Sequence, residues 1–282
     1  MQLLKQYFSF LLYSHLYIAI CAVLMVTQTY QLVLETEINQ PYLFFVFFST
    51  LTSYSFHYYF QNYSVVQVNR SFWLSKHQAI KAFIFISGIV GTVFFFFKLH
   101  HHAMWIVAVM VATFLYSAPT IPHPIFRALR KVAYGKTIFL AAVWIYVTTI
   151  LPMIIADAPF DKRNLFFIIS RFFLIYSVCI LFDNRDREDD KRNNVKSLIT
   201  FVSERTVVVL LVLSLLIFTG FTISLGWQGF SLLTVLVLLI PGLIITGLMP
   251  VSLKSKSDLL FLGVLDGMMA FSSLLTLLIH GI

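Results

Sequence analysis

Nine apolar stretches follow one another along this 282-residue chain, and they restrict its fold more than any other feature. They run roughly over 9–33, 42–62, 79–98, 103–119, 137–156, 164–182, 205–226, 231–250 and 258–280. A helix needs about 20 apolar residues to cross the hydrocarbon core of a bilayer. An open chain in lipid satisfies its backbone polar groups only as helix. The expected fold class is therefore an all-α integral membrane protein with nine transmembrane helices. Composition agrees: 11% of residues are charged, against about 25% in soluble domains, and the mean hydropathy is +0.87. No soluble domain, low-complexity linker or internal repeat stands out, so residues 1–282 read as a single membrane domain. The run after Lys5 is too long for a signal-peptide core and is expected to be a first membrane helix. Cys21 and Cys179 lie inside apolar runs and argue for neither a disulfide nor a metal site.

The formal net charge of +8 does not indicate nucleic-acid binding, because the basic residues sit in short connections between spans. With the N-terminus placed in the cytoplasm, the connections after the second, fourth, sixth and eighth spans are cytoplasmic. With the chain's start they hold Lys5, Arg70, Lys76, Lys81, Arg127, Arg130, Lys131, Lys136, Arg185, Arg187, Lys191, Arg192, Lys196, Arg205, Lys254 and Lys256. The other side keeps Lys98, Lys162 and Arg163. This asymmetry sets the orientation. It makes 63–78 and 119–136 cytoplasmic cap loops and 183–204 a cytoplasmic acidic loop. The expected location is the inner (plasma) membrane of a prokaryote.

The stretch from Asp183 to Asp190 holds five of the chain's twelve acids. On a helix Asp183, Asp186 and Asp190 fall within roughly a 60° arc. Like charges so spaced repel by about several tenths of a kcal/mol per pair unless a cation sits among them. Oxygen-only ligands suit Mg²⁺, which commonly takes one or two carboxylates plus substrate phosphates. Arg185, Arg187, Lys191, Arg192 and Lys196 surround the acids and suit phosphate oxygens. The competing reading is a solvated charged loop whose Asp residues cap the next helix.

Ser53, His57 and Gln61 recur at i, i+4 and i+8 and form a polar stripe in an aromatic span. They either line a ligand cavity or make interhelical hydrogen bonds. His15, Arg171 and Asp266 lie within apolar runs, where a charge is costly, so each is expected to face the bundle interior. Arg171 and Asp266 are candidates to pair. The basic, Pro-rich segment from Pro119 to Lys136 reads as a positive-inside anchor or as a lid over a phosphate site.

In combination these pieces resemble the UbiA family of intramembrane prenyltransferases over nearly the whole chain. Asp183-x-x-Asp186-x-x-x-Asp190, with Lys196-Ser197 downstream, is similar to the family's second aspartate motif at the end of the sixth helix. Asn69-Arg70 followed by Ser75 resembles the segment after the second helix. Leu115-Tyr116-Ser117-Ala118-Pro119, then Lys136 and Trp144, resembles the stretch from the fourth helix into the fifth. One departure stands out. The positions of the first aspartate motif, counted back from Asn69, read Ser53, His57 and Gln61, so its carboxylates are gone.

The resemblance implies a nine-helix bundle around a central cavity, Mg²⁺ as cofactor, and an isoprenyl diphosphate and a lipophilic acceptor as partners within the lipid bilayer. It implies that Asp183, Asp186 and Asp190 hold the metal and act in catalysis. It also implies that Arg70, Lys136, Arg187, Lys191 and Lys196 contact the diphosphate. Ser53, Gln61, Asn69 and Tyr116 would line the cavity. His57 would replace part of the missing positive charge or serve as a base on the acceptor. The alternative is a catalytically degenerate homologue that binds a lipid or prenylated ligand or scaffolds a membrane partner. A transporter is a weaker third reading, since no paired broken helices are evident.

Overall fold

The structure is a computed structural model and describes residues 2–60, 76–118, 135–192 and 197–280. All regular elements among the described residues are helical. They are α1 (Gln2–Tyr13), α2 (Leu16–Thr29), α3 (Gln40–Phe60), α4 (Gln78–Lys98), α5 (Ala103–Ser117), α6 (Lys136–Ile145), α7 (Lys162–Arg192), α8 (Glu204–Ser224), α9 (Leu232–Ser252) and α10 (Asp266–His280). Helix α2 runs on through a π turn to Leu34, and α6 through another to Ile155. A seven-residue π segment, Leu259–Leu265, leads into α10.

Seven of these helical stretches are long and apolar enough to cross a membrane: Leu16–Leu34, Gln78–Lys98, Lys136–Ile155, Lys162–Arg192, Glu204–Gln228, Leu232–Ser252 and Leu259–Ile279. The expected spans 42–62 and 103–119 correspond to α3 and to α5, which is described over 15 residues. The expected first span, 9–33, is broken. Helix α1 stops at Tyr13, and His15 adopts a left-handed backbone with φ 66° before α2 begins at Leu16. Histidine is among the few residue types enriched in that region. Ser14 Oγ accepts from the Leu16 N–H at 3.5 Å across the break. His15 is buried there, with its ring 5.9 Å from that of Tyr54.

The chain divides into two compact units, Met1–Val23 with Ile38–Leu129, and Leu24–Glu37 with Arg130–Ile282. In the first, α3 and α4 lie close because α4 offers small residues. A Cβ on Gly88 would come within 2.7 Å of Thr52 Oγ1, and one on Gly91 would enter the Phe48 ring. Such close backbone approach is how helices associate where lipid removes the hydrophobic drive. Thr52 and Thr92 meet at 3.3 Å across that seam, and Phe95 stacks on Phe44 and Phe48.

In the second unit α7 is the central helix, neighboured by α6, α8, α9 and α10. Its buried residues extend from Asn164 to Arg185. Ser170 and Thr222 share a 2.6 Å hydrogen bond between α7 and α8. Ser203 and Ser231 cap α8 and α9, each accepting a backbone N–H three residues on. Arg171 does not pair with Asp266. Its guanidinium donates to the Met25 carbonyl at 3.1 Å and to the hydroxyls of Thr29 and Ser273 at 3.3 Å, and it lies over the Phe167 ring. Neutral oxygens and an aromatic face thus take the place expected for a carboxylate.

Residues 183–192 are the end of α7 and not the start of a loop. At 31 residues α7 is about 46 Å long, well beyond the ~30 Å of the hydrocarbon core. The acidic run therefore extends the helix past the lipid. Glu188–Lys191 and Asp189–Arg192 pair one turn apart at 3.0 and 3.9 Å, and two basic residues in the last turn complement the helix dipole.

Candidate functional site

Helices α6 and α7 are joined by a short turn after Ile155, so they run antiparallel and the start of α6 meets the far end of α7. This brings Lys136 and Thr137, the first two residues of α6, to the acidic turns. Lys136 Nζ lies 3.6 Å from Asp183 Oδ1 and 3.3 Å from Asp190 Oδ2. Thr137 donates its hydroxyl to the other Asp183 oxygen. Asp183 and Asp190 are two turns apart on one face, and one ammonium serves both. The trio of side chains is mostly buried, at 24% exposure for Lys136, 11% for Asp183 and 14% for Asp190. Two carboxylates and one ammonium leave the group with a formal negative charge in a partly dry place, an arrangement that attracts a further cation.

Asp186 is engaged differently. Arg185 donates to both of its oxygens, from Nε at 2.8 Å and from Nη2 at 3.1 Å, the two-point geometry in which guanidinium binds carboxylate most strongly. The same guanidinium lies over both the Phe182 and Phe261 rings, 5.0 and 4.7 Å from their centres, with Asp258 at 4.0 Å. Asn184 donates to the Leu253 carbonyl at 3.4 Å, and Arg187 to that of Val202. These contacts tie the end of α7 to the segments on either side of it, so the carboxylates are held by neighbours at both ends of their helical run.

Among the described residues no three His, Cys, Asp or Glu side chains converge as a metal-ion cage would require. The donor set still fits one hard cation. Asp183 and Asp190 already direct oxygens at a single positive centre, and Mg²⁺ needs only one or two carboxylates when phosphate completes its shell.

The expected residues separate into groups. Lys136, Asp183 and Asp190 come together. Asp186 is on the same helix but bound to Arg185. Lys191 is exposed and paired with Glu188, and Arg187 is held by Val202. Ser53 is half-buried in α3, His57 is helical in α3, and Tyr116 is half-buried near the end of α5, all in the first compact unit. Gln61, Asn69, Arg70 and Lys196 lie outside the described residues. The sequence did not single out Thr137, Asn184 or Asp258 as site residues, and Arg185, expected on phosphate oxygens, is bound to Asp186. Thr137 had a signal available, since it adjoins Lys136, which was singled out for its charge.

Residues 71–271 match the model of the UbiA prenyltransferase family. That stretch includes Lys136, Thr137 and every acid of α7, and it begins after Ser53, His57, Gln61, Asn69 and Arg70. Comparison with curated proteins and with solved structures gives no match. A match over more than half of the chain, on a helical membrane framework that gathers the α7 carboxylates around a lysine, shows that the chain belongs to the UbiA prenyltransferase family.

Proposed function

We propose that this protein moves an isoprenyl group from an isoprenyl diphosphate to an aromatic or other lipophilic acceptor within the membrane, with Mg²⁺ as cofactor. The observation that carries the reading is the convergence of Asp183 and Asp190 on Lys136, with Thr137 fixing the Asp183 carboxylate. Asp183 and Asp190 would hold the metal, which supplies positive charge to the departing diphosphate where its charge develops. Asp186 is the third carboxylate assigned to the site, with its orientation fixed by Arg185. Lys136 is assigned to the diphosphate oxygens, and Arg70, Arg187, Lys191 and Lys196 to the surrounding positive field.

The bond that breaks joins the allylic carbon to the diphosphate oxygen, and the leaving group takes the electron pair. The acceptor's π electrons then form the new carbon–carbon bond, and the acceptor carbon loses a proton. His57 is the residue we assign to receive that proton. Ser53, Gln61, Asn69 and Tyr116 are assigned to the walls that keep water from the cation. We assign the N-terminus and the acidic end of α7 to the cytoplasmic side of a prokaryotic inner membrane, a reading supported by the excess of Lys and Arg in the connections on that side.

A second reading has its own support: each of the three motif carboxylates already has a basic neighbour, Asp186 in Arg185, and Asp183 and Asp190 in one shared Lys136. A homologue that binds a prenylated ligand without turning it over fits that pattern. The deciding experiment incubates the reconstituted protein with Mg²⁺ and isoprenyl diphosphates of several chain lengths and measures diphosphate release. Release that is lost in Asp186→Asn and Asp190→Asn at normal expression supports transfer. Binding without release at every length supports the second reading and overturns the first.

A further inference from the structure

At the opposite end of α7 from the acids, about 30 Å away along the helix, a cavity of about 450 Å³ opens beside Arg163. Its walls include Glu35, Arg163, Gly229, Phe230 and Ser231, all from the second compact unit. The volume is in the range of small-ligand sites. Nothing in the proposed prenyl transfer uses it.

The cavity has one full positive and one full negative side chain at its mouth. Arg163 pairs with Glu35, donates to the Leu32 carbonyl at 2.8 Å, and lays its guanidinium 4.8 Å over the Phe230 ring. Its Nε–H is buried and has no hydrogen-bond partner among the described residues. A guanidinium carries five N–H donors, and the bonds to Leu32 and Glu35 both use Nη2, so Nη1 keeps capacity for an incoming acceptor. Glu35 is 63% exposed, so its carboxylate is open to a ligand as well as to Arg163.

Backbone geometry points to the same place. Glu35 is a non-glycine residue in the left-handed region, φ 51° and ψ 37°, at the end of the π turn that closes α2. Gly229 is left-handed too, with φ 94°. Residues held in such conformations concentrate at binding and switch sites. The floor is apolar, because Leu32 and Phe230 belong to a buried cluster with Val33, Met153, Phe167 and Leu225. Depth is indicated by Trp227, 80% exposed in the turn just before Gly229, and by Leu232, 76% exposed just after it. Exposed Trp at the end of a span marks the level of the lipid headgroups.

We propose that this cavity binds the zwitterionic headgroup of an aminophospholipid, its ammonium on Glu35 and its phosphate on Arg163. A purely anionic ligand would meet the Glu35 carboxylate and a purely cationic one would meet Arg163, whereas a dipolar ion satisfies both. The primary ammonium donates hydrogen bonds to a carboxylate, which a quaternary ammonium cannot. The acyl chains lie along the exposed apolar side chains beside the cavity.

The test titrates the delipidated full-length protein with phosphatidylethanolamine, phosphatidylcholine, phosphatidylglycerol and soluble O-phosphoethanolamine, and reads bound ligand by native mass spectrometry. Phosphatidylethanolamine is expected to bind at least about tenfold more tightly than the other two lipids, and Glu35→Gln to erase that preference. Equal binding of the three lipids overturns the proposal. So does unchanged selectivity in Glu35→Gln, or binding of soluble O-phosphoethanolamine as tight as that of the lipid, which would make the cavity a solute site. Glu35→Gln is preferred to an Arg163 variant because Arg163 also holds the Leu32 carbonyl and Phe230. Should Glu35→Gln lower the melting temperature, the selectivity of the wild-type protein decides alone.

Discussion

Arg171 in the first half of α7 and Asp183 and Asp190 near its end are all largely buried, yet their surroundings differ in kind. Arg171 is 4% exposed and is satisfied by a carbonyl, two hydroxyls and the Phe167 ring. Each of those groups has other partners: Thr29 donates to the Thr148 carbonyl, and Ser273 to Gln28. The cation is locked among neutral oxygens, with no carboxylate partner among the described residues. Asp183 and Asp190 instead divide one lysine between them. A locked charge holds helices together, whereas a shared counterion can be joined or displaced by another cation. The difference separates scaffold from site on a single helix.

The largest effect should come from the site. Asp183→Asn keeps the shape and the Thr137 contact but removes the charge. Prenyl transfer is expected to fall by about 10²–10³-fold, as on loss of one preorganised electrostatic group, with the melting temperature nearly unchanged; turnover measured beside thermal unfolding checks both. Arg171→Ala should do the reverse. It opens a cavity in the centre of the unit and should cost about 2–4 kcal/mol of stability. Its dependence on Mg²⁺ concentration should match that of the wild type. Arg171→Met should recover most of the loss, since an apolar side chain of similar volume often replaces a buried ion well. If Arg171→Met stays as unstable as Arg171→Ala, the guanidinium does more than fill and bridge.

Lys136→Met sharpens the contrast further. If lysine and metal serve the same two carboxylates, removing the lysine should tighten Mg²⁺ binding by about tenfold, the scale of a single charge–charge interaction near a protein surface. Turnover should drop by a similar factor because a diphosphate contact is lost. A calorimetric Mg²⁺ titration of the variant reads the first effect directly. The smallest change is expected for Lys191→Ala. Lys191 is exposed and paired with Glu188 on the same helix face, and such surface pairs contribute little. Turnover should stay within about twofold of wild type.

Much of this was legible from residue order. Apolar run lengths located the helices, and the i, i+3, i+7 spacing placed Asp183, Asp186 and Asp190 on one side of a helix. The run lengths also hid things. His15 breaks the first apolar run with a left-handed backbone, a geometry that histidine adopts more readily than an aliphatic residue does. The acidic run continued α7 because its own one-turn ion pairs support helix beyond the lipid. Long-range partners were the least visible. Lys136 and Thr137 reach Asp183 across 47 and 46 positions of chain through the antiparallel packing of α6 and α7. Spacing alone treated the three acids as equivalent, whereas the neighbouring Arg185 engages both oxygens of Asp186. Charge alone suggested a pairing of Arg171 with Asp266, but the guanidinium is taken up by the Met25 carbonyl and the hydroxyls of Thr29 and Ser273, all distant in sequence.

The most direct test is binding of an isoprenyl diphosphate to the reconstituted protein, with and without Mg²⁺, in the wild type and in a combined Asp183→Asn and Asp190→Asn variant. The account predicts tight, Mg²⁺-dependent binding in the wild type and a loss of at least about a hundredfold in the variant, with the fold intact. Undiminished Mg²⁺-dependent binding in the folded variant would contradict it.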